Sequence, residues 1–537
     1  MSWKNKLYFG DNLEVLREVV PTESVDLIYL DPPFNSNATY NVLFKESTGE
    51  ESQAQILAFD DTWHWGPEAD AAYHDTVTAG GKVSELMQTL LGFLRKSDMM
   101  AYLTMMAPRL KELHRALKPT GSLYLHCDST ACHYLKLLLD AVFGPINYKN
   151  QIVWKRTSGH SDAGKYGRIH DVILFYTKSE EYTWNQQYQP YEDWYVKQYY
   201  RYKDEDGRLF MSDNLSAAGL SGGGYDYEWK GVRRVWRCPP STMQRLDDEG
   251  KIYYTKNGYP RLKRYLDESK GMAMQDLWFD IEAIRSWHGE KLGYPTQKPE
   301  GILERIIKTS SNEGDLVLDP FCGCGTTIAV AEGLKRRWVG IDLTHLAITL
   351  MRHRLYNHFK EDLAAFEIEG TPRDEASARA LAEESRYKFE WWAVGLVDGL
   401  PAQDKRKGAD SGVDGLIYFF DDESGKAKKI VIQVKSGHVT RNQIGDLNHV
   451  REREKAEIAL FVTLEEPTNP MLKEAGSAGF YEPEFFPGEK VPRIQILTIA
   501  ELFEGKRPQY PRVAPNQTFK EAKRKFKDES PAQGKLY

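Results

Sequence analysis

The sequence has few cysteines and no long apolar run. Its five cysteines are an odd number without the spacing of a disulfide framework, which excludes a disulfide-stapled domain and predicts a reducing compartment. Cys322 and Cys324 have no second pair nearby, so we interpret them as small loop residues rather than metal ligands. No stretch approaches the ~20 apolar residues of a membrane helix, and residues 1–10 lack the apolar stretch of a signal peptide. We therefore expect a cytoplasmic protein with no membrane contact.

The chain also lacks an excess of positive charge. Its formal net charge of −7 excludes a wholly basic nucleic-acid coat protein, so any DNA contact has to come from local basic patches. A composition of 41% hydrophobic and 28% charged residues is that of a globular protein. At 537 residues the chain is too long for one ordinary core, and we expect two or three domains.

The first chemically informative motif is a strand that ends at an acid and two prolines. The apolar, β-rich run Val25–Leu30 is followed directly by Asp31-Pro32-Pro33-Phe34, which predicts a buried strand with a rigid loop at its carboxyl end, where open α/β sheets place their sites. Asp31 and the carbonyl of Pro32 can each accept a hydrogen bond from an amino group on a planar ring, and Phe34 can stack on that ring. A plain strand ending in a proline turn is the alternative.

A second motif, far downstream, predicts a nucleotide-type cofactor site. The segment Gly314–Asp342 has the pattern of a strand, a glycine turn, a helix and a second strand that ends in an acid. Gly323 and Gly325 allow close approach of the backbone, and Asp342 can bind ribose hydroxyls. The diphosphate-binding pattern G-x-G-x-x-G is incomplete, because Ile328 stands in place of its last glycine. A cofactor with an adenosine but no diphosphate therefore fits better.

Together the two loops resemble those of the amino-methylating DNA methyltransferases that use S-adenosylmethionine. The order, with the catalytic loop first and the cofactor loop last, resembles their β group, and the resemblance covers roughly the first 355 residues. It implies an α/β fold with a permuted Rossmann-like sheet. It also implies that Asp31, Pro32, Pro33 and Phe34 form the catalytic loop, and that the cofactor contacts Asp319, Phe321, Gly323, Gly325, Thr326 and Asp342.

The resemblance adds three cofactor-binding residues from two other segments. Asp11 stands between a short predicted strand and a helix, where the family has an acid beside the adenine of the cofactor; a helix N-cap is the alternative, and both roles are compatible. Thr296 and Lys298 belong to a T-Q-K-P segment that resembles the one packed against the methionine end of the cofactor, with a helix start at a proline as the alternative. We interpret His126, at another strand end, as a buried hydrogen-bonded histidine rather than a catalyst.

Two stretches show no sustained period. Residues 35–80 are interpreted as a long loop over the catalytic mouth. Residues 179–290 are rich in Tyr, Trp, Gly and charged residues, and basic and aromatic side chains alternate at Tyr199–Lys203 and Lys230–Arg237. Such mixtures suit phosphate contact and base stacking, with plain solvent-exposed surface as the alternative. In the resembled family this insertion holds the target-recognition region.

The last part of the chain carries a second pair of motifs. A hairpin of two predicted strands would bring Asp414 of G-V-D-G near Gln433 and Lys435 of Q-V-K-S at one sheet edge. Asp414 and a second oxygen ligand can hold Mg²⁺, and the lysine can help to activate water against a phosphodiester. The pattern resembles the Mrr-type restriction-endonuclease-like fold, which has Gln where most relatives have Glu, and Glu390 can supply a helix carboxylate. Alternating strands with an unrelated lysine are the alternative.

These motifs predict six consecutive segments. They are a methyltransferase catalytic half (1–178), a target-recognition insertion (179–290), an S-adenosylmethionine-binding half (291–356), a helical linker (357–385), a smaller α/β restriction-endonuclease-like domain (386–505) and a basic tail (506–537).

The predicted reaction moves a methyl group from S-adenosylmethionine to N6 of a flipped-out adenine in double-stranded DNA. The setting is a restriction–modification system, with a homodimer or a restriction partner. N4-cytosine methylation remains an alternative, although that group usually carries Ser in place of Asp31. RNA or protein amide methylation and a DNA-binding module without catalysis are further alternatives. The C-terminal domain either retains Mg²⁺-dependent cleavage or only grips DNA.

Overall fold

The computed structural model describes residues 4–33, 39–45, 51–60, 64–159, 164, 166–217, 223–285, 288–292, 294, 296–402, 412–421 and 427–511, with backbone only for 39–45 and 51–60. Phe34 and the basic tail beyond Pro511 lie outside these residues. The described chain forms two compact units that divide after Asn185 and before Asp276. Within the described ranges, no helix is both long and apolar enough to cross a membrane.

The first unit contains a nine-stranded sheet whose order is β16-β6-β7-β5-β2-β17-β18-β1-β19. Its N-terminal part runs β1 (Asn5–Phe9), α1 (Asn12–Glu18), β2 (Val25–Leu30), β3 (Thr39–Lys45), β4 (Glu51–Asp60), α2 (Pro67–Thr78), α3 (Gly81–Leu94), α4 (Asp98–Ala116), β5 (Leu117–Cys127), α5 (Cys132–Phe143), β6 (Tyr148–Lys155) and β7 (His170–Thr177).

The second unit is a small, aromatic-rich body. It runs β8 (Tyr188–Gln189), α6 (Asp193–Tyr199), β9 (Tyr202–Lys203), β10 (Leu209–Asn214), β11 (Tyr225–Trp229), β12 (Val232–Trp236), α7 (Pro240–Asp248), β13 (Ile252–Tyr254), β14 (Pro260–Tyr265) and β15 (Met272–Ala273). Strands β13-β14-β10-β9 form a four-stranded sheet, and β11 with β12 forms a hairpin. Trp229 and Trp236 pack with Met243 in its apolar core.

The chain then returns to the first unit and completes the large sheet. It runs β16 (Leu277–Trp278), α8 (Glu300–Ser310), β17 (Leu316–Asp319), α9 (Thr326–Gly333), β18 (Arg337–Asp342), α10 (His345–Phe359) and β19 (Phe366–Glu369). β17 pairs in parallel with β2 on one side, with Val317 opposite Leu27, and with β18 on the other side. The loops that follow β2 and β17 therefore leave the same edge of the sheet.

Strand burial explains the character of these sequences. β2 and β17 are central parallel strands with helices on both faces, so they have nearly continuous apolar runs instead of an alternating pattern. β7 runs antiparallel between β5 and β6, near one end of the sheet. Helices α4 and α5 cover one face, where Leu103, Leu110 and Leu135 pack against apolar side chains of the strands. This rigid sheet positions the loops at its edge.

The prediction of one long loop over residues 35–80 is wrong. β3 and β4 pair as an antiparallel hairpin, and α2 occupies Pro67–Thr78 with its proline in the first turn. α2 buries only Ala69 and Thr76, so the apolar stripe that would reveal a helix is almost absent from its sequence. The helix packs beside α3 and α4, and its Tyr73 is partly buried against the main core.

The C-terminal part forms a second, smaller α/β layer within the first unit. It runs α11 (Glu375–Glu384), α12 (Arg386–Leu396), β20 (Leu400–Pro401), β21 (Gly415–Phe419), β22 (Lys428–Lys435), α13 (Arg441–Arg453), β23 (Ile458–Thr463), α14 (Asn469–Ser477), β24 (Phe480–Tyr481), β25 (Val491–Pro492), β26 (Ile494–Thr498) and α15 (Ile499–Phe503). Its five-stranded sheet has the order β20-β21-β22-β23-β26.

The predicted helical connector is partly wrong. Phe366–Glu369 forms β19, which pairs in parallel with β1 at the edge of the large sheet. α11 is a helix as predicted, but Ala378 and Leu381 join the apolar core of the C-terminal layer. The segment is therefore divided between two layers, because its few apolar residues are each buried against a different sheet.

Helix α10 joins the C-terminal layer to the large sheet. Arg352 donates to Asp398 Oδ1 at 2.5 Å, just after α12. Leu400 of β20 packs with Leu346 and Leu350 of α10 and with Tyr294. The two layers thus share one apolar contact next to the glycine turn of the predicted cofactor site.

Candidate active sites

A cavity of about 540 Å³ opens at the edge of the large sheet where the two predicted loops meet. The segments that line it follow β1, β2, β17 and β18, together with the loop before α8. Its lining includes these predicted site residues: Asp11, Asp31, Pro32, Pro33, Thr296, Lys298, Asp319, Phe321, Gly323, Thr326 and Asp342. The predicted catalytic and cofactor loops, more than 280 residues apart, therefore lie in one cavity.

Asp31 pairs with Lys298, which the sequence resemblance places at the methionine end of the cofactor. Lys298 Nζ forms an ion pair with Asp31 Oδ2. The two side chains are only 11% and 14% exposed, so the pair is largely shielded from water. The other oxygen, Asp31 Oδ1, is buried and has no hydrogen-bond partner among the described residues. A buried acceptor without a donor is costly and is a common feature of functional sites.

The glycine turn is shaped by two left-handed residues. Gly325 has φ 73°, and a Cβ at this position would lie 2.4 Å from Met351 Cγ, so only glycine fits. Gly323 has φ 50°, and a Cβ there would lie 3.2 Å from a ring carbon of Tyr294. Gly325 is the N-cap of α9 and supports the turn from behind, since it does not line the cavity.

Two carboxylates at the ends of β17 and β18 have displaced pKa values. Asp319 accepts from Phe321 N at 3.0 Å and from Thr327 Oγ1 at 2.5 Å, yet burial raises its pKa to about 7. Asp342 accepts from Gly323 N and from Thr344 N, both at 2.9 Å, and burial raises its pKa to about 6. Burial disfavours the charged form in both cases, so a cation in the cavity would stabilise it.

Asp11 is a helix cap, as one of the two interpretations predicts. It is the N-cap of α1 and accepts from Leu13 N at 2.7 Å. It also pairs with Arg109 at 2.7 Å, and the same guanidinium donates to Asn12 Oδ1 at 2.6 Å and to Met105 O at 2.7 Å. Burial lowers the pKa of Arg109, although Asp11 opposes that shift. Arg109 is therefore committed to holding the β1–α1 turn.

The T-Q-K-P segment is anchored by its glutamine. Gln297 Oε1 accepts from Leu292 N at 2.8 Å, and its Nε2 donates to the Glu290 carbonyl at 2.6 Å. Pro299 is the N-cap of α8, which agrees with a helix start at a proline. These contacts fix the backbone on both sides of Lys298. Sequence reasoning missed the contact of Lys298 with Asp31, because nothing local to either residue indicates it.

A buried chain of polar side chains lies next to the predicted catalytic loop. Tyr29 Oη, two residues before Asp31, is 2.9 Å from His126 Nδ1, and His126 Nε2 is 3.3 Å from Asp171 Oδ2. Burial alone would raise the pKa of Asp171. The hydrogen bond and charge of His126 and the charge of Arg156 outweigh burial, so the pKa of Asp171 lies below its ordinary value. His126 is completely buried and hydrogen-bonded, as the sequence predicts.

The residues predicted to form a nuclease site also lie together. Asp414 N donates to Ile432 O at 2.8 Å, and Asp414 Oδ2 accepts from Val434 N at 2.8 Å, across the antiparallel pair of β21 and β22. Asp414 and Gln433 are each only 8% exposed, and Lys435 follows two residues later on the same strand face. Gln433 Oε1 is buried without a hydrogen-bond partner in the described chain.

The described residues at this edge provide few negatively charged ligands for a metal ion. Glu390 of α12 is buried, and its Oε1 pairs with Arg386 Nε at 3.0 Å. Across the ranges that the structure describes, no group of three or more His, Cys, Asp or Glu side chains could hold a metal ion. Carbonyl and carboxylate oxygens suit Mg²⁺, so Asp414 and Gln433 have suitable chemistry but supply only one negative charge.

Comparison with known proteins gives a family for each part of the chain. A DNA methylase family model of the N6/N4 type matches residues 25–352, and a restriction endonuclease family model of the Mrr type matches residues 381–492. The first match covers more than half of the chain, and the second covers most of the C-terminal layer.

Three curated relatives resemble the first part of the chain. The Type II methyltransferase M.EcaI of Enterobacter cloacae is 31% identical over 348 residues, 63% of this chain and 66% of that protein. The StyLTI Mod subunit of a Type III restriction-modification enzyme of Salmonella typhimurium is 28% identical and covers 62% and 50%. The DNA adenine methyltransferase YhdJ of Escherichia coli is 26% identical and covers 66% and 85%. The matched segment thus spans one half to two thirds of the first two relatives.

Proposed function

The chain belongs to the N6/N4 DNA methylase family, and from this premise we propose that it transfers a methyl group from S-adenosylmethionine to N6 of an adenine in double-stranded DNA. The observation that carries the proposal is Asp31. Its buried Oδ1 lacks a donor at the end of the strand beside the glycine turn, in a cavity large enough for a small molecule. An amino group that enters this cavity can supply the missing donor.

The residues of the cavity fit S-adenosylmethionine. This cofactor carries a sulfonium and an ammonium, and the lining supplies five carboxylates, Asp11, Asp31, Glu68, Asp319 and Asp342, against two cations, Arg109 and Lys298. Gly323 lines the cavity, Gly325 shapes the turn from behind, and Asp342 has acceptor capacity left for ribose hydroxyls. Thr296, Phe321 and Thr326 complete the proposed cofactor contacts. When bound, the cofactor supplies a methyl group activated by the positive sulfur.

The protein's own part in the reaction is to position the amine. An adenine paired in a duplex cannot present its amino group to the cavity, so the base has to be flipped out. Asp31 Oδ1 and the Pro32 carbonyl then accept its two N–H groups, which directs the nitrogen lone pair outward. This lone pair would take the methyl group of the cofactor, with the cofactor's thioether as the leaving group, and the surplus proton of the amine would leave to water. Catalysis comes from orientation and polarisation.

The experiment that tests this proposal identifies the modified base. Purified protein is incubated with S-adenosylmethionine and unmethylated duplex DNA, and nucleosides are separated by mass spectrometry. We expect N6-methyladenine. N4-methylcytosine would move the assignment to the cytosine-specific alternative, and no DNA methylation over a broad set of sequences would reject the proposal. Sequencing of host DNA with and without the gene would then give the recognition site.

We assign target recognition to the second unit. A cleft of about 770 Å³ within it is lined by three tyrosines, three cations and four uncharged polar side chains: Tyr199, Tyr202, Tyr253, Arg201, Lys256, Arg261, Gln198, Ser212, Thr255 and Asn257, together with Met211. None of these carries a negative charge. Cations with stacked aromatic rings suit a phosphate backbone and bases, and amide side chains can read base edges.

We also propose that the C-terminal layer acts on the same DNA, as the endonuclease half of a restriction–modification enzyme. Asp414, Gln433 and Lys435 support this role through their shared sheet edge, with Mg²⁺ held by Asp414 and the amide oxygen of Gln433. A second copy of the chain or a separate restriction subunit would be needed to cut both strands. The alternative is a layer that only holds DNA near the methyltransferase.

A further inference from the structure

We propose, on the basis of the methyltransferase function above, that Lys298 is a positioning residue for Asp31 and not a ligand for the methionine end of the cofactor. Its ammonium holds Oδ2 of the carboxylate in place and leaves Oδ1 for the amine of the target base. This assigns to the T-Q-K-P segment a role in the acceptor half of the site.

The placement of Lys298 is determined by rigid neighbours. Gln297 is tied to the backbone of Leu292 and Glu290 through both ends of its amide, and Pro299 begins α8 directly after the lysine. The side chain thus starts from a fixed point and ends on Asp31, across a separation of 267 residues. A fixed backbone and a shielded ion pair are the conditions under which one charge can orient another.

Charge distribution explains why Asp31 needs this partner. The other cation of the cavity, Arg109, is already engaged by Asp11, Asn12 and the Met105 carbonyl. The titratable groups around Asp31 and Lys298 include Tyr29, Tyr294, Asp319, Asp342 and Cys324, with His126 and Asp171 behind them. Without Lys298, Asp31 would lose the cation that contacts it directly, and the nearby acids and phenols would disfavour its charged form.

The protonation state of Asp31 determines whether its side chain accepts a hydrogen bond from the target amine or donates one to it. A carboxylate accepts an N–H and leaves the nitrogen lone pair free to attack the methyl group. A carboxylic acid would instead offer its own O–H to that lone pair and block the attack. Lys298 therefore maintains the form of Asp31 that accepts, and it does so without touching the substrate.

The test compares three variants with the wild type. Lys298→Met removes the charge, Lys298→Arg keeps it, and Lys308→Met is the matched control, since Lys308 lies on α8, does not line the cavity and pairs with the half-buried Glu304. Single-turnover methyl transfer at saturating cofactor is measured from pH 5.5 to 8.5. Binding of S-adenosylhomocysteine is measured by calorimetry, and the thermal midpoint checks folding. Lys298→Gln replaces the methionine variant if that variant does not fold.

We expect Lys298→Met to slow single-turnover transfer by about 100-fold. The acid limb of its pH profile should move to higher pH, while S-adenosylhomocysteine affinity stays within about threefold. Lys298→Arg should recover most of the rate, and Lys308→Met should match the wild type.

Two results would overturn the assignment. One is a tenfold or greater loss of S-adenosylhomocysteine affinity with an unchanged single-turnover rate, which would make Lys298 a cofactor ligand. The other is a variant whose rate and acid limb equal those of the wild type. A wild-type protein that methylates no DNA would instead reject the proposed function, so the two failures are distinguishable.

Discussion

Asp31 and Asp414 each lie where a strand meets a loop, but the protein uses them differently. One carboxylate oxygen of Asp31 pairs with Lys298, and the other has no hydrogen-bond donor among the described residues. Asp414 instead accepts a hydrogen bond from the backbone N–H of Val434, next to the neutral side chain of Gln433. The first site gathers five carboxylates around a cavity, and the second relies on few fixed charges. We infer that the carboxylates of the first site favour a cationic organic molecule. The second site has few fixed charges, so we infer that binding there requires a metal ion and the phosphates of DNA.

The largest expected effect separates the two acids. Asp31→Asn preserves size but removes the charge, so methyl transfer should fall by about 100- to 1,000-fold, while cofactor affinity changes little. Asp414→Asn is the matched control and should methylate at the wild-type rate. Transfer of a labelled methyl group to plasmid DNA measures both. Comparable activity in Asp31→Asn would remove Asp31 from the catalytic role.

The second expectation tests the other side of the comparison. Lys435→Ala should abolish Mg²⁺-dependent cleavage of unmethylated plasmid and leave methylation intact, because the lysine belongs to the C-terminal sheet and does not line the cavity of the large sheet. DNA that the enzyme has already methylated should resist cleavage by the wild type. If neither protein cuts under any divalent metal, the C-terminal layer is a DNA-binding accessory.

A third expectation concerns the charge of the cofactor cavity. Asp319 and Asp342 have pKa values of about 7 and about 6 because of burial, so both lose their charge as the pH falls from 8 to 5.5. A bound cation favours the ionised forms, and binding should therefore weaken by about tenfold per pH unit below pH 7. Calorimetry with S-adenosylmethionine in the absence of DNA measures this dependence. Asp342→Asn should bind more weakly and show a shallower pH dependence.

The smallest expected effect lies in the recognition cleft. Arg201→Ala and Lys256→Ala should each weaken DNA binding severalfold and reduce the slope of log affinity against log salt by about one, as expected for the loss of one phosphate contact. Arg208→Ala is the matched control in the same unit, because its guanidinium already pairs with Asp267 and Glu268. Equal salt slopes in all three variants would place the DNA elsewhere.

The parts of this fold that the sequence predicts share a local pattern. The apolar run before Asp31 and the glycine turn before α9 can each be predicted from about ten residues of sequence, because a strand end and a glycine-rich turn have local patterns. His126 and the helix cap at Asp11 follow from the same reasoning. The structure adds the shared cavity, which follows from the parallel pairing of β2 with β17.

The parts that were missed lack such a pattern. β19 is four residues long and alternates Phe and Ile with glutamates. Because it is short and lies in a charged stretch, its sequence does not stand out as a strand. α2 presents hardly any apolar face. The ion pair of Lys298 with Asp31 depends on how the T-Q-K-P segment is held by Glu290 and Leu292, and a tertiary contact of this kind leaves no trace near either residue.

The pairing of β2 with β17 has a consequence for synthesis of the protein. The two strands are neighbours in the sheet, yet the second unit and more than 280 residues of chain separate them. During translation the catalytic loop emerges early, but β2 has no partner on that side until β17 leaves the ribosome. Closing so long a segment is slow relative to local folding. A nascent chain therefore cannot bind cofactor or modify DNA until more than half of the polypeptide is complete, and a chaperone that shields the exposed edge of β2 should raise the yield of active enzyme.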